Sequence, residues 1–381
     1  MELEAIDGQD AKVQGEEGSP IHGELLEVVL ARVPLIDLAC ASQVSKSWEC
    51  AVLSSLLHLS KVRPWLVIHT QCRRSLQKKT TTAYDPRSDA WIEISQPQPT
   101  TTGFISVLQS SSSGLLYELS SDKLSFSVDP LHLTWHHVSP PRAWRVDPIA
   151  ALVGSHVVVA GGASGFYADP LSVEVYDMEI SHWTTCQPMP DTLKHSTAST
   201  WLSVASNQEL MYVMEKASGM LFSFSPKTRA WAGPYAVRPD PSVFFSTVGF
   251  AGDDLILAGV TGHSEKVETL KIWKIMPESM EFDEIGEIPT ELLEKLEGED
   301  SDLTSISLMT AKDFIYICNS SNPEEIIFYE FVDEGWKWGS VKNVVLNDER
   351  RIGERMVMSC GEVGIDDLQI AMRFRNLKPF L

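Results

Sequence analysis

The chain has 381 residues, 43% of them hydrophobic and 22% charged, which is enough for one large folded domain and a small one. Its formal net charge of −21 at pH 7 argues against nucleic acid and anionic membranes as main partners, because a phosphate-binding surface must be basic. This composition leaves room for a local basic patch.

Residues 1–18 contain six acidic side chains, one lysine and few apolar residues, which predicts a disordered tail. The amino terminus shows no basic segment followed by an apolar one, so no signal peptide is expected. No run of about 18 apolar residues predicts a membrane span. The six cysteines are scattered without a CxxC pair and are expected to be free thiols. These features together predict a cytoplasmic or nuclear protein.

Three short helices are predicted next. The first is expected over residues 24–33 and ends at Pro34, because proline disfavours helical backbone in the residue before it. Asp37 is expected to cap a second helix over 38–42, and a third is expected over 45–54. Such a unit buries little surface alone, so we expect support from a neighbouring domain or a partner. The apolar residues that share one face of the first helix are Leu25, Leu26, Val29, Leu30 and Val33.

The rest of the chain repeats about every 50 residues. Each repeat contains an apolar strand, a turn, a second strand ending in an aromatic residue, a few polar residues and a further aromatic that opens another strand. We interpret each repeat as about four short strands. The further aromatics are predicted to pack between neighbouring repeats rather than to line a ligand site. They are Trp91, Trp135, Trp183, Trp231, Phe282 and Trp336.

A four-stranded sheet cannot bury both faces alone, so the repeats are predicted to form the blades of a closed ring. The spacing predicts six blades, with seven as the alternative. The first repeat shows strands over 65–69, 81–84 and 91–94 but lacks a clear first strand. Residues 356–360 could supply that strand and close the ring, whereas the apolar residues 368–374 have no assigned role.

The helical segment resembles an F-box. The resemblance rests on its paired leucines, Val29-Leu30, Arg32-Val33-Pro34, Asp37-Leu38 and the Val-x-Lys-x-Trp pattern ending at Trp48. The segment departs from the family at Ile21-His22, where Leu-Pro is usual. The resemblance implies that the helices pack on a Skp-type adaptor. The residues it assigns to adaptor binding are Leu25, Leu26, Val29, Leu30, Pro34, Leu38, Val44 and Trp48.

The repeats resemble kelch repeats, most clearly where the Gly161-Gly162 doublet precedes Tyr176 and Trp183. Together the two regions resemble the plant F-box/kelch-repeat family. The fold implied is mainly β, a kelch-type β-propeller preceded by a small three-helix F-box. The domains expected are the tail at 1–18, the F-box at 19–60 and the propeller at 61–381.

The resemblance implies a substrate receptor of an SCF-type ubiquitin ligase, which binds a Skp-type adaptor and through it a cullin scaffold. Some plant members of this family recognise enzymes of phenylpropanoid and flavonoid synthesis, and a substrate of that class is the hypothesis here. Such a protein has no chemistry of its own, and neither a cofactor nor a metal is expected.

Substrate binding is expected on the loops after the second and fourth strands of the blades, since loops on a rigid scaffold carry binding residues. Arginine and aromatic residues are favoured as contacts. The acidic, helix-prone residues 291–302 either shape the same face or act as a solubilising loop. The candidates are Arg73, Arg74, Lys78, Lys79, Arg142, Trp144, Arg145, Phe166, Tyr167, His195, Arg238 and His263.

The sequence leaves two alternative classes of function, a propeller enzyme and an interaction scaffold. No nucleotide-binding, hydrolase or zinc-protease motif is present, and His132, His136 and His137 lack a fixed carboxylate partner for a metal. A propeller enzyme would also need polar residues converging on the central channel. The stronger alternative is an interaction scaffold outside any ligase, in which the helices only cap the propeller. Adaptor binding separates that alternative from the ligase receptor.

Overall fold

The structure is a computed structural model. In it the chain forms two compact units, with the boundary between Lys61 and Val62. The predicted disordered tail at 1–18 lies outside the described residues. No helix in the described part of the chain is long and apolar enough to cross a membrane. The residues described are 24–57, 63–95, 107–111, 114–162, 169–298, 303–332, 335–347, 354–373 and 377–379.

The first unit contains three helices, α1 (Glu24–Leu30), α2 (Leu35–Ala41) and α3 (Lys46–Leu57), and both α1 and α2 contact α3. The hydroxyl of Ser45 accepts a hydrogen bond from the backbone N–H of Trp48 at 3.3 Å and so caps α3.

The predicted second helix is present, but it begins at Leu35, and the prediction that Asp37 caps it was wrong. The extended Pro34, with φ −51° and ψ 144°, precedes α2 directly, and no side chain caps the helix. Asp37 therefore lies in the first turn instead of at the cap position. Its negative charge is still favourable there, because the helix dipole places partial positive charge at the amino end.

The second unit consists of six antiparallel sheets, which are the blades of a propeller. The prediction of six blades is confirmed. Blade 1 contains β1 (Trp65–Gln71), β2 (Lys79–Asp85), β3 (Ala90–Ile94), β24 (Arg355–Gly361) and β25 (Leu377–Pro379); blade 2 contains β4 (Leu108–Ser110), β5 (Leu116–Leu119), β6 (Leu124–Ser127) and β7 (His136–Val138); blade 3 contains β8 (Ile149–Val153), β9 (His156–Ala160), β10 (Val173–Asp177) and β11 (His182–Thr185).

The remaining three blades follow the same order, and helices α4 (Thr290–Glu297) and α5 (Ile365–Arg373) lie between strands. Short 3₁₀ turns occur at Asp191–Leu193 and Val344–Asn347. Blade 4 contains β12 (Leu202–Ser206), β13 (Met211–Glu215), β14 (Met220–Ser225) and β15 (Ala230–Ala236); blade 5 contains β16 (Val243–Ala251), β17 (Asp254–His263), β18 (Lys266–Ile275) and β19 (Phe282–Glu287); blade 6 contains β20 (Ile306–Ala311), β21 (Phe314–Asn319), β22 (Glu325–Val332) and β23 (Gly335–Lys342).

The ring is closed by the carboxyl-terminal part of the chain. Strand β24 pairs antiparallel with β1, with Val67 opposite Ser359, and is the inner strand of blade 1. This confirms the predicted role of residues 356–360. Two features were not predicted: β25 pairs with the outer strand β3, and most of residues 368–374 belong to α5, which buries Leu368 and Ala371.

The repeated aromatics have the same packing role in several blades. Within its own blade, the ring of Trp183 lies 5.3 Å from that of Tyr176, and the ring of Trp231 lies 5.0 Å from that of Phe224. Trp183 also belongs to the apolar cluster between blades 2 and 3, and Trp231 packs against the cluster between blades 3 and 4. The indole N–H of Trp183 also donates to the carbonyl of Ser139 at 2.8 Å, in the connection that follows the preceding blade. The prediction that these aromatics pack between repeats is therefore confirmed.

Each interface between neighbouring blades contains its own apolar cluster. The acidic stretch predicted after blade 5 joins one of them, because Leu293 and Leu296 of α4 are buried in the cluster between blades 5 and 6. The side-chain amide of Asn319 donates to the carbonyl of Leu296 at 3.0 Å. The stretch is thus a docked helix with its carboxylates outward, although residues 299–302 lie outside the described residues.

Candidate functional site

The first candidate surface is on the three-helix unit, where the structure separates the eight predicted adaptor contacts by exposure. Leu25, Val29 and Val44 are exposed by 63%, 45% and 65%. Pro34 and Trp48 are partly exposed. The other three are buried and hold the helices together; they are Leu26, Leu30 and Leu38.

The helical period explains this division. Leu26 and Leu30 are four residues apart on the face of α1 that packs inward, whereas Leu25 and Val29 are four apart on the face that points outward. Val28 is exposed beside them. Apolar side chains clustered on the surface of a folded unit, as Leu25, Val28 and Val29 are on α1, mark an interaction site. Val44, which is also exposed, lies in the turn between α2 and α3. We call these four residues the exposed apolar face.

The second candidate surface is one end of the propeller. Because the strands of each blade are antiparallel, the loop after the second strand and the connection after the fourth lie at the same end. The predicted candidates that are exposed at this end are Arg73, Arg74 and Lys78 between β1 and β2, Arg142 and Trp144 after β7, His195 after β11, Arg238 after β15 and His263 at the end of β17. Phe166 and Tyr167 lie outside the described residues.

Arg145 is a correction to the predicted contacts, because its side chain is only 2% exposed. Its guanidinium donates to a carboxylate oxygen of Glu174 at 2.7 Å. Burial lowers the pKa of Arg145, and the hydrogen bond with Glu174 counteracts part of this effect. The same carboxylate group accepts from the backbone N–H groups of Arg142 at 2.8 Å and Ala143 at 3.1 Å. Arg145 therefore fixes the loop that presents Arg142 and Trp144.

Lys79 is also engaged within the protein. Its ammonium group forms an ion pair with Glu118 of the next blade and lies 5.9 Å from the ring centre of Trp135. It joins blades 1 and 2 beneath the exposed loop and is a weaker candidate for a contact than its neighbours Arg73 and Arg74.

The substrate contacts predicted from the sequence did not include Trp201, which is 60% exposed in the connection after β11. The connections after blades 2 and 3 are joined at Asp147, whose carboxylate accepts from the hydroxyls of Ser199 at 2.6 Å and Thr200 at 3.1 Å. This link brings Trp201 to the loop of Trp144, which is 48% exposed. Both tryptophans fall outside the spacing of the repeated aromatics. This departure is the sequence signal that could have marked Trp201 as a binding residue.

The central channel opens at the same end of the propeller through two adjoining cavities. One of about 400 Å³ is lined by residues that include Arg73, Arg355 and Ser110. The other, of about 190 Å³, includes Lys216 and shares Ser110 and Ser199 with the first. Burial lowers the pKa of Lys216, and its ammonium group donates to the carbonyl of Thr200 at 3.1 Å. The polar part of their lining includes serine hydroxyls and cations, which suit binding of polar groups from a partner, and apolar side chains such as Met356 and Leu308 line the rest.

The three histidines around Trp135 do not lie together in the structure. His132 is buried with its ring 5.0 Å from that of His69 and 2.8 Å from the hydroxyl of Ser359, while His136 and His137 are exposed on β7. Burial lowers the pKa of His132 to about 4. Within the described ranges, no three histidine, cysteine or acidic side chains are grouped to hold a metal ion.

Comparison with known proteins identifies the family. Residues 23–60 match the F-box domain. The chain is 41% identical to F-box/kelch-repeat protein At1g23390 of Arabidopsis thaliana over 382 aligned residues, covering 96% of this chain and 95% of that protein. The chain belongs to the F-box/kelch-repeat family.

Two further proteins show weaker similarity to this chain. Kelch repeat and BTB domain-containing protein 2 of Pongo abelii is 27% identical over 127 residues, which are 33% of this chain and 19% of that protein. The solved structure titled "Structure of YjhT" aligns with a TM-score of 0.38 and 11% identity over 52% of this chain and 65% of that one, too low a score to support an argument. For an F-box/kelch-repeat protein, the two domains support a substrate-receptor role in an SCF-type ubiquitin ligase, with a Skp-type adaptor bound by the F-box and a protein substrate by the propeller.

Proposed function

We propose that this F-box/kelch-repeat protein is the non-catalytic substrate-recognition subunit of an SCF-type ubiquitin ligase. Residues 19–60 bind the Skp-type adaptor and through it a cullin scaffold, and residues 61–381 hold the substrate. The observation that supports this most is the exposed apolar face of the helices that match the F-box. Holding a substrate beside a ubiquitin-loaded enzyme raises its effective concentration and so speeds its modification.

In this proposal the exposed and partly exposed F-box residues contact the adaptor, and the buried ones act only by shaping the unit. Covering Leu25, Val29 and Val44 with an apolar partner surface removes them from water, which favours binding at roughly 25 cal/mol per Å² of apolar area. Trp48 and Pro34 are then the partly buried edge of the same contact. The proposal places the protein in the cytoplasm or nucleus, where the ligase would act.

The substrate is proposed to bind across the propeller end that carries Arg73, Arg142, Trp144 and Trp201. Tryptophan and arginine are the residue types that dominate protein interfaces. The proposed substrate class is an enzyme of phenylpropanoid or flavonoid synthesis, and this part of the proposal rests on the resemblance to the plant family.

A reconstituted ligase tests this function. The full chain is mixed with a plant Skp-type adaptor, a cullin with its ring-domain partner, ubiquitin, activating and conjugating enzymes, and candidate enzymes of phenylpropanoid or flavonoid synthesis. We expect the chain to co-elute with adaptor and cullin and to promote ubiquitin transfer to at least one candidate.

Two variants separate the two halves of the proposal. Leu25→Asp with Val29→Asp should abolish assembly, because an unpaired carboxylate is costly in an apolar contact. Trp144→Ala with Trp201→Ala should leave assembly intact and abolish ubiquitin transfer to the substrate. Failure of the wild-type chain to bind the adaptor would contradict the ligase role and favour the alternative, an interaction scaffold outside any ligase.

A further inference from the structure

A local group of cations stands out in this acidic chain. Arg73, Arg74 and Lys78 are exposed in the loop of blade 1, and Arg355 is exposed at the start of β24 in the same blade. None of the four forms an ion pair with another described residue. We call these four residues the basic rim.

Cations without an acidic partner among the described residues are notable here because acidic residues outnumber basic ones, 52 to 31. Several cations elsewhere in the propeller have acidic partners. Examples are Arg63 with Glu330, Lys274 with Asp254, Lys271 with Glu284 and Lys312 with Glu362. The charges of the basic rim have no acidic partner among the described residues and can interact with a bound partner. Arg73 and Arg355, which line the same cavity, repel one another until such a partner binds.

The basic rim borders the larger cavity at the channel mouth. Arg73 and Arg355 line this space of about 400 Å³ together with Ser110, Ser111 and Ser307, a size within the usual range for binding pockets. Hydroxyl groups and a guanidinium can all donate hydrogen bonds to a carboxylate. One acid, Glu354, also lines the cavity, and it accepts a hydrogen bond from the Thr70 hydroxyl.

Two exposed tryptophans lie close in sequence to residues at this cavity. Ser199 lines it and donates to Asp147; Trp201 follows Ser199 by two residues, and Trp144 precedes Asp147 by three. Cations, hydroxyl donors and two large apolar side chains therefore lie at the same end of the propeller. We call Trp144 and Trp201 the aromatic pair.

We propose that the propeller recognises an acidic linear segment of its substrate. One carboxylate of the segment enters the cavity between Arg73 and Arg355, neighbouring carboxylates lie along the basic rim, and an apolar side chain of the segment packs on the aromatic pair. Charge complementarity selects this partner. The net charge of −21 repels large polyanions such as nucleic acid or an anionic membrane, whereas a short segment interacts mainly with the local cations. This inference rests on the proposed substrate-receptor role.

The test is selection of peptides from a random twelve-residue phage library on the immobilised full chain, followed by fluorescence polarisation with labelled synthetic copies. We expect the enriched peptides to be more acidic than the starting library and to contain an aromatic or leucine side chain. Their affinity should fall as NaCl rises from 50 to 500 mM, because salt screens exposed charges.

A charge-reversal variant and a matched control locate the binding site. Arg73→Glu with Arg74→Glu should weaken peptide binding by about tenfold or more, since like charges then face each other. Lys227→Glu with Lys337→Glu makes the same change in net charge away from the loop end and should have no effect. Circular dichroism of both variants should match the wild type, because all four side chains are exposed.

Several results would overturn the inference. Enriched peptides that are neutral or basic, equal binding by the charge-reversal variant, or no enrichment above background would each do so. Tighter binding of single-stranded DNA or phosphatidylserine vesicles than of the peptides would show a general polyanion surface instead. Adaptor binding, measured on the same samples, should be unchanged by Arg73→Glu with Arg74→Glu. If the wild-type chain did not bind the adaptor, the ligase role would be contradicted, but the peptide result would not be affected.

Discussion

The two units of the chain use apolar residues in opposite ways. In the propeller, the repeated aromatics and the six interblade clusters are largely buried by neighbouring blades. In the F-box unit, which has only three short helices, Leu25, Val29 and Val44 are left in water. A ring of repeats can satisfy its own apolar surface, whereas a small unit of this kind cannot. The exposed apolar residues of the F-box unit are therefore explained by binding, and the repeated aromatics of the propeller by folding.

The largest expected effect is on propeller stability. Arg145→Ala should lower the free energy of unfolding by about 3–5 kcal/mol, because it leaves the buried Glu174 carboxylate without its ion-pair partner. Urea denaturation followed by tryptophan fluorescence measures this change. The exposed neighbour Arg142 is the control, since Arg142→Ala should change stability by less than about 0.5 kcal/mol. Equal effects of the two substitutions would contradict the structural role assigned to Arg145.

A second prediction concerns the core of the F-box unit. Leu38 is fully buried, so Leu38→Ala should destabilise the unit by about 3 kcal/mol through lost contacts and a residual cavity. Leu25→Ala should alter stability by less than about 0.5 kcal/mol and still weaken adaptor binding. Hydrogen exchange measured by mass spectrometry over residues 24–57 distinguishes the two. Similar protection in both variants would mean that exposure does not separate folding residues from binding residues.

A third, smaller effect is acid sensitivity of the propeller. Burial holds the pKa of His132 at about 4 and that of His69 well below the usual 6.5. The unfolded chain therefore binds protons that the folded chain excludes, and stability falls as the pH drops from 6.5 towards 4. Each histidine can lower the free energy of unfolding by up to about 1.4 kcal/mol for each pH unit in that window.

The matched variant for this effect is His132→Asn, since asparagine tolerates the positive φ of 52° at this position. Urea midpoints at pH 7.5 and 5.0 should lie closer together in the variant than in the wild type. An unchanged difference between the two midpoints would show that His132 does not contribute to the acid sensitivity.

Much of the propeller could be predicted because its signals are local and repeated. An aromatic at the end of one strand faces the tryptophan that opens the next, as Tyr84 faces Trp91 at 5.2 Å, so the spacing alone indicated the blades. The missing first strand of blade 1 likewise indicated the closing strand β24. By contrast, β25 and α5 carry no repeat signal and depend on contacts made only after the ring has closed.

The sites were harder to predict because exposure depends on partners distant in sequence. Arg142 and Arg145 are both arginines in the connection after β7, and the sequence does not show which one is buried. The position of Glu174 on the next blade decides this, because its carboxylate pairs with Arg145. Trp201 departs from the repeat spacing, but so does Trp65, which is buried. In the F-box, the motif supplies the apolar positions, and the packing of α1 against α3 decides which of them face outward.

Titration calorimetry of a plant Skp-type adaptor into the full chain tests the central claim most directly. The wild type should bind. Leu25→Asp with Val29→Asp should weaken binding at least about a hundredfold, because two carboxylates would be buried in an apolar contact. Lys227→Glu with Lys337→Glu, which places two carboxylates at exposed positions of the propeller, should bind nearly as the wild type does. No binding by the wild type, or equal loss in both variants with the fold intact, would contradict the account of the exposed apolar face as the adaptor site.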